Sequence, residues 1–248
     1  MTPEPFSDNA APPLGEVGRI TGVFIDPKKA FADIAARPRW IVPVVLLILA
    51  AMAFTYTYTS RVGWERYIRQ TMENNPSMQN LPADQREARI QTGAKFAPIV
   101  GYVGSLLFVP IGALVIGGAL LLVCKMMGAG ALNFKQMFAI SAYAMLPGLV
   151  SSILAIIVMF IKNPEEFNLQ NPLAFNLGAF MEPPPNSGKF LYSLATSIDL
   201  FSFWTILLLA VGISVAARKF PFSKAVVAVV LPWALYVLIK SAWAGAFS

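Results

Sequence analysis

The sequence contains no histidine, only one cysteine and few charged side chains. The absence of histidine removes the commonest metal ligand and the commonest general base, which argues against many classes of enzyme. The single cysteine, Cys124, cannot form a disulfide within the chain, and in an apolar helix it is expected to be a buried packing residue. Only 13% of the 248 residues are charged, whereas 56% are hydrophobic and occur in long blocks. This composition is typical of an integral membrane protein.

Other catalytic patterns are also missing from the sequence. It has no paired acids of the glycosidase or protease type, no cluster of metal ligands and no glycine-rich phosphate loop followed by Lys and Ser or Thr. The net charge of +6 is spread over several polar segments, which argues against nucleic-acid binding and suits lipid head groups. We therefore predict no enzyme activity, no catalytic residue, no metal and no cofactor.

Five apolar segments have the length that a helix needs to cross a bilayer, which is about 20 residues. They cover residues 40–59, 98–124, 137–161, 191–216 and 225–244. The predicted fold is all-α, an integral membrane bundle of five transmembrane helices with an amphipathic N-terminal interfacial helix. We predict a short cytoplasmic N-terminal segment over residues 1–36 and a five-span membrane domain over residues 37–248.

Lysine and arginine near the ends of the spans indicate the orientation, because they are enriched on the cytoplasmic side. Basic residues precede the first span and occur in the second and fourth connections: Arg19, Lys28, Lys29, Arg37, Arg39, Lys125, Lys135, Arg218, Lys219 and Lys224. The first connection is also basic and opposes this assignment. On balance the pattern predicts a cytoplasmic N-terminus and a C-terminus outside.

The interfacial helix is predicted just ahead of the first span. Asp26 followed by Pro27 is typical of a helix start, with the aspartate as N-cap. We expect its apolar side chains to face the membrane surface while its lysines meet anionic head groups; these residues are Phe24, Phe31, Ile34, Lys28 and Lys29. In the first connection, Trp64 to Met72 and residues 84–96 are predicted as helices that cap the bundle, with a partner-docking site as the alternative.

Small residues and a proline mark the third span. Ala144, Gly148 and Ser152 lie four residues apart, a spacing that lets a neighbouring helix approach closely. We expect this packing to occur within the bundle, and the alternative is a homodimer face. Pro147 has no backbone N–H, so the carbonyl of Tyr143 is expected to lose its helical partner and to need another donor.

Three short motifs resemble the Yip domain family, named for membrane proteins that interact with Ypt/Rab GTPases. They are Phe24 to Pro27, then Ala142-Tyr143-Ala144-Met145-Leu146-Pro147 in the third span, and Asp199-Leu200-Phe201-Ser202-Phe203-Trp204 in the fourth. The resemblance extends over almost the whole chain and implies a five-span helical membrane protein with a cytoplasmic N-terminus. Its eukaryotic relatives act in ER-to-Golgi traffic by contacting Rab GTPases and partner Yip proteins.

The chain departs from the eukaryotic pattern in two respects. Its N-terminal segment is short, and no Asp-Leu-Tyr-Gly-Pro signature precedes the first span. The resemblance therefore does not carry GTPase binding over to this chain. It fits a bacterial inner-membrane member better than a protein of the ER or Golgi membrane.

Asp199 is an acid inside the fourth apolar segment. If a helix begins near residue 191, the carboxylate lies roughly 12 Å from the helix end, where burial is costly. Thr196 and Ser202 lie on the same side of such a helix. The structural hypothesis is that one of these three groups donates to the third span, with the carbonyl of Tyr143 as the named acceptor, while Trp204 packs in the same helix.

The alternative hypothesis is that Asp199 binds a proton or cation on a transport route. We find no second acid at membrane depth and no basic residue within a span to pair with it, so the structural hypothesis is preferred. Two functions follow. The first is a non-enzymatic scaffold or adaptor in membrane organisation or trafficking, which contacts lipid and other membrane proteins or self-associates. The second is a small-solute or ion transporter built around Asp199.

Overall fold

The computed structural model describes residues 13–73, 78, 80–130, 132–182, 184 and 186–247. Within these ranges the chain forms ten α-helices and two short 3-10 helices and contains no β-strand. Residues 1–12 of the predicted N-terminal segment lie outside the described residues, as do Pro183 and Pro185 of the third connection.

The helices follow one another along the chain with few long connections. In order, they are α1 (Glu16–Ile25), α2 (Pro27–Ala36), α3 (Ile41–Arg61), α4 (Glu65–Glu73), α5 (Ala83–Met126), α6 (Phe134–Ala144), α7 (Pro147–Ile161), α8 (Lys189–Ser197), α9 (Leu200–Ala216) and α10 (Phe222–Phe247). The 3-10 helices, Pro164–Glu166 and Leu177–Phe180, lie between α7 and α8.

Four of the helical segments are long and apolar enough to cross a membrane. They are Ile41–Arg61, Ala83–Met126, Phe134–Ile161 and Phe222–Ala246. The remaining predicted segment, the fourth in the chain, is represented by α9, which is apolar but shorter. α5 has 44 residues, which makes it about 66 Å long at 1.5 Å per residue. The helix predicted separately over residues 84–96 is therefore the beginning of α5, and this end extends beyond the bilayer.

Two apolar segments that were expected to be single helices are interrupted. α6 ends at Ala144 and α7 starts afresh at Pro147, whose missing N–H is tolerated in a first helical turn. The segment 191–216 is interrupted between α8 and α9, where Asp199 has the extended conformation, with φ −129° and ψ 157°. The prediction that Asp199 lies eight residues inside a continuous helix is therefore wrong.

α6 and α9 form the centre of the bundle. Every residue from Met137 to Ala144 is buried, and so is every residue from Leu208 to Ile213. The surrounding helices α3, α5, α7 and α10 expose large apolar side chains such as Phe108 and Leu235. Lipid tails are as apolar as these side chains, so this outer surface suits a bilayer.

Glycines on α5 allow two close helix crossings. A Cβ atom on Gly117 would lie only 3.2 Å from the Cα of Phe138 on α6. A Cβ atom on Gly101 would lie 2.7 Å from Cγ2 of Thr55 on α3. Backbones approach this closely only where the side chain is a hydrogen atom, as is common between membrane helices.

α1 and α2 form an antiparallel hairpin that packs into the centre of the bundle. The carboxylate of Asp26 caps α2 by accepting the N–H of Lys29 at 3.2 Å, and Pro27 is the first helical residue, which confirms the predicted start. Phe31 and Ile34 are completely buried in the core. The expectation that they face the membrane surface was wrong, because the apolar face of α2 is covered by α6 and α9.

The close packing of the hairpin against α9 depends on one glycine of that helix. A Cβ atom on Gly212 would lie 2.5 Å from Cγ2 of Ile140 on α6 and 3.0 Å from the ring of Phe31 on α2. Three helices therefore meet at this position without space for even a methyl group. The N-terminal hairpin thus shares one hydrophobic core with the membrane helices.

Candidate functional site

A buried ion pair holds the two helices of the N-terminal hairpin together. Arg19 on α1 is only 2% exposed, and its Nε donates to Oδ2 of Asp33 on α2 at 2.7 Å. The same carboxylate accepts the backbone N–H of Leu14 at 3.2 Å and a hydrogen bond from the guanidinium of Arg37. A buried charge that is paired and hydrogen-bonded in this way is tolerated, whereas an unpaired one is costly.

Tyr143 connects this ion pair to the central helix α6. Its hydroxyl donates to Oε2 of Glu16 at 2.6 Å, and the tyrosine is completely buried. Nη1 of Arg19 lies 3.8 Å from the other carboxylate oxygen of Glu16. We refer to Glu16, Arg19, Asp33 and Tyr143 as the hairpin cluster. It fixes the N-terminal hairpin to the membrane core through polar contacts.

The carboxyl group of Asp33 is held in its ionised form. Burial raises its pKa, but the N–H of Leu14 and the guanidinium groups of Arg37 and Arg19 lower it by more, so the pKa lies below the ordinary value. Burial lowers the pKa of Arg19, and the hydrogen bonds and charge interactions with Asp33 and Tyr143 together more than offset this effect, so the pKa lies above the ordinary value. Both partners of the buried pair are therefore charged at neutral pH.

Asp199 is the N-cap of α9. Its carboxylate accepts the N–H groups of Phe201 and Ser202 at 2.9 and 3.0 Å, and it also accepts the hydroxyl of Ser202. These contacts satisfy backbone donors that the first turn of a helix leaves free. The polar residues of the segment are thus engaged within their own turn.

The predicted contact between Asp199 and the third span is not present. The carbonyl of Tyr143 accepts the N–H of Leu146 at 3.2 Å, in the turn between α6 and α7. The hydroxyl of Thr196 donates to the carbonyl of Ser193 at 3.1 Å. The prediction failed because the turn before Pro147 satisfies its own carbonyl, and because the chain leaves the helix at Asp199.

The three sequence motifs converge on the N-terminal hairpin. The rings of Phe24 and Trp204 pack edge to face with centroids 5.4 Å apart, so the first and third motifs touch. The second motif contributes Tyr143 to the hairpin cluster. Trp204 therefore packs between α9 and the hairpin as well as along its own helix. Asp199, Thr196 and Ser202 do not belong to the hairpin cluster and lie where α8 ends and α9 begins.

The small residues of the third span are divided between α6, which ends at Ala144, and α7, which contains Gly148 and Ser152. Ala144 is completely buried. A Cβ atom on Gly148 would lie 3.8 Å from Cδ2 of Leu47 on α3, an ordinary contact distance, and the hydroxyl of Ser152 bonds to the carbonyl of Gly148 at 2.9 Å. Their proposed alternative role in a homodimer face stays a prediction.

Sequence reasoning missed the charged members of the hairpin cluster. Arg19 was used only to assign orientation, although it lies four residues before the buried Val23 and therefore on the apolar face of α1. Asp33 lies three residues after the buried Ala30 and therefore on the same face of α2. A charge at an apolar position of an amphipathic helix was the available signal, and it indicates a buried partner.

A basic residue in the fifth apolar segment was also missed. Lys240 lies in α10, and its ammonium donates to the hydroxyl of Ser197 at 2.9 Å. The statement that no span contains a basic residue was therefore wrong. Among the residues that the structure describes, no group of three metal-binding side chains is present.

Comparison with known proteins gives one match. A family model described as the Yip1 domain matches residues 21–244. No curated protein and no solved structure matches the chain. The matched range includes α2 and the three sequence motifs, and it ends near the end of α10.

We expect removal of the buried guanidinium to destabilise the bundle. Arg19→Met leaves Asp33 buried with fewer donors and should lower the free energy of unfolding by about 3 kcal/mol. Arg37→Met is the matched control: Arg37 also binds Asp33 but is 42% exposed, so its loss should cost no more than about 1 kcal/mol. Unfolding by SDS in mixed micelles measures both variants, and equal losses would contradict this ranking.

Because Asp33 is ionised in the folded protein, the stability of the bundle should depend on pH in the acid range. Because the pKa of Asp33 lies below its ordinary value of 3.8, the unfolded chain binds more protons than the folded one near that pH. The contribution of the ionised Asp33 to the free energy of unfolding should be complete above this pH. It should disappear as the pH falls through the pKa of Asp33 in the folded protein. Asp33→Asn should lack this acid-dependent step, and an unchanged step in the variant would assign it to another group.

Variants of Asp199 should separate capping from other roles. Asp199→Asn keeps a good N-cap and should preserve stability, whereas Asp199→Leu should cost on the order of 1 to 2 kcal/mol. Ser202→Ala removes only the hydroxyl contact and should have a smaller effect. Amide hydrogen exchange at Phe201 and Ser202 should accelerate in Asp199→Leu alone. Equal stability and exchange in the Asn and Leu variants would exclude the capping role.

Proposed function

The chain belongs to the Yip1 domain family, and from this premise we propose that it is a non-enzymatic membrane scaffold or adaptor. Proteins of this family are generally non-enzymatic and span the membrane several times. In the proposed role, the bundle recruits other membrane proteins or a second copy of itself, and so contributes to membrane organisation or trafficking. Its proposed partners are lipid and membrane proteins; binding to GTPases is not part of the proposal.

This proposal rests on the hydrogen bonds that the carboxylate of Asp199 accepts. An acid within an apolar segment is often part of an ion or proton route. Here the carboxylate is engaged by two backbone N–H groups and a hydroxyl of its own turn. Helix capping therefore accounts for the acid without a transported ion.

The centre of the bundle supports the same conclusion. The consecutive residues of α6 from Met137 to Ala144 are all buried by neighbouring helices, including the N-terminal hairpin. The charges nearest to this centre are held in the hairpin cluster. A rigid, closely packed body of this kind suits a protein that presents surfaces to partners.

A transporter is the second candidate, and the interrupted helices favour it. Secondary transporters often bind their substrates at broken helices, whose free N–H groups face the ligand. The breaks at Pro147 and Asp199 resemble that architecture. However, the N–H groups at the start of α9 are already bound to Asp199, so they are not available to an anionic substrate.

We also propose that the bundle spans the membrane five times, with α9 as the fourth span. Its 17 residues reach about 26 Å at 1.5 Å per residue, and α8 continues the segment. The N-terminus is then cytoplasmic and the C-terminus outside, most simply in a bacterial inner membrane, or in the ER or Golgi membrane of a eukaryote. Cysteine labelling at Lys28 and Ala246 tests the count, because five spans place them on opposite sides.

A flux measurement separates the scaffold from the transporter. Purified protein in liposomes with an internal pH-sensitive dye should give no proton or cation flux above that of empty liposomes. Asp199→Asn, which keeps the cap, should behave identically. A flux in the unmodified protein that disappears in this variant, without loss of stability, would overturn the scaffold proposal.

Cross-linking in native membranes provides the positive arm of the same test. A photo-reactive phenylalanine analogue replaces Phe108, an exposed residue of α5, or Phe138, a buried residue of α6, as matched control. The scaffold proposal expects a discrete cross-linked protein from position 108 and none from position 138. Cross-links to lipid alone from position 108, and from further exposed positions around the bundle, would count against recruitment.

A further inference from the structure

The connection between α7 and α8, together with the first turn of α8, exposes a group of large apolar side chains. The most exposed is Phe180, at 86%, and the others are Phe175, Leu177, Phe190 and Leu191. We call these five residues the loop patch. Exposed apolar groups of this size usually mark a surface that contacts a membrane or another molecule.

The loop patch is fixed to the first turn of α9. The N–H of Leu200 donates to the carbonyl of Phe175 at 3.0 Å, and the N–H of Leu177 donates to the carbonyl of Ile198 at 3.2 Å. The rings of Phe175 and Phe201 pack edge to face, with centroids 5.9 Å apart. These bonds surround Asp199, which pairs with Asn176 in an isolated β-bridge.

Close packing against α8 holds the same loop from the other side. Gly178 is buried, and a Cβ atom there would lie 2.4 Å from Cγ2 of Thr196. The side chain of Asn176 accepts the N–H of Ala179 at 3.1 Å and donates to the carbonyl of Leu173 at 2.9 Å. The exposed side chains are therefore presented by a defined backbone.

The patch continues the lipid-facing surface of α9. Leu200, Phe203 and Leu207 are exposed, and their spacing of three and four residues places them on one face of the helix. Phe175 is bonded directly to Leu200, the first residue of this stripe. The patch is thus continuous with a surface that lies against lipid.

Lys240 indicates how deep in the membrane the start of α9 lies. A lysine in an apolar helix extends its ammonium group toward the membrane–water boundary. The ammonium of Lys240 bonds to the hydroxyl of Ser197, two residues before Asp199. This contact favours a position of the start of α9, and with it the loop patch, at the level of the lipid head groups.

From this placement we propose that the loop patch inserts into the interfacial layer of the adjacent lipid leaflet. The occupant of the patch is the boundary between head groups and acyl chains, where apolar and aromatic side chains leave water while the polar backbone stays near it. Asp199 is then a positioning residue: by capping α9 and pairing with Asn176, it holds the loop at the membrane surface. This inference concerns a membrane contact and does not depend on the scaffold proposal.

Fluorescence quenching in vesicles tests the insertion directly. Single cysteines are introduced into a Cys124→Ala parent and labelled with one environment-sensitive dye. Phe180→Cys reports on the patch, Leu207→Cys on a lipid-facing helix position, and Glu165→Cys on an exposed position of the same connection. The purified proteins are reconstituted in phosphatidylcholine vesicles that contain lipid with a quencher near the head group.

The expected result is strong lipid quenching at the patch. The dye at position 180 should be quenched several-fold more by the shallow lipid quencher than the dye at position 165, and several-fold less by iodide in the buffer. Equal quenching at positions 180 and 165 would overturn the proposal. A dye that is open to iodide in vesicles but protected in native membranes would assign the patch to a protein partner, which also overturns it.

A second variant tests whether the packing of Gly178 against Thr196 positions the loop patch. Gly178→Val forces a side chain into Thr196 and should move the dye at position 180 toward the aqueous quencher, while the dye at position 207 keeps its lipid exposure. Unchanged quenching of the dye at position 180 would show that insertion does not need this packing contact. If Gly178→Val fails to reconstitute, Asp199→Leu provides the same comparison.

Discussion

The buried ion pair between Arg19 and Asp33 is the contact on which the architecture depends. It joins α1 to α2, and the resulting hairpin covers the central helices α6 and α9. A charge without a partner in this environment would be costly, so the pair opposes separation of the two helices. The hydroxyl of Tyr143 then anchors that arrangement to α6 through Glu16. The N-terminal segment is thereby part of the membrane core.

Several polar groups of the bundle bind partners within the protein itself. The carboxylate of Asp199 caps a helix, the hydroxyl of Ser152 bonds within its own helix, and Lys240 bonds to Ser197 across two helices. None of these contacts requires a ligand. The scaffold proposal rests on the first of these contacts, because helix capping accounts for Asp199 without a transported ion.

Much of the architecture was predictable because it depends on local patterns. Segment length identified the apolar helices, and Asp26 with Pro27 correctly marked the start of α2. The interruption at Asp199 was missed because apolar residues lie on both sides of it, although an Asp directly before an apolar run is a recognisable N-cap signal. The contact between Tyr143 and Glu16 was beyond local patterns, because these residues are 127 residues apart in the chain.

Polar contacts make the N-terminal hairpin part of the membrane core. The most direct test is a double-mutant cycle between Glu16→Ala and Tyr143→Phe, with unfolding free energies measured in mixed micelles. The account predicts that the two losses are not additive, with a coupling energy on the order of 1 to 3 kcal/mol. Additive losses, within about 0.5 kcal/mol, would contradict it.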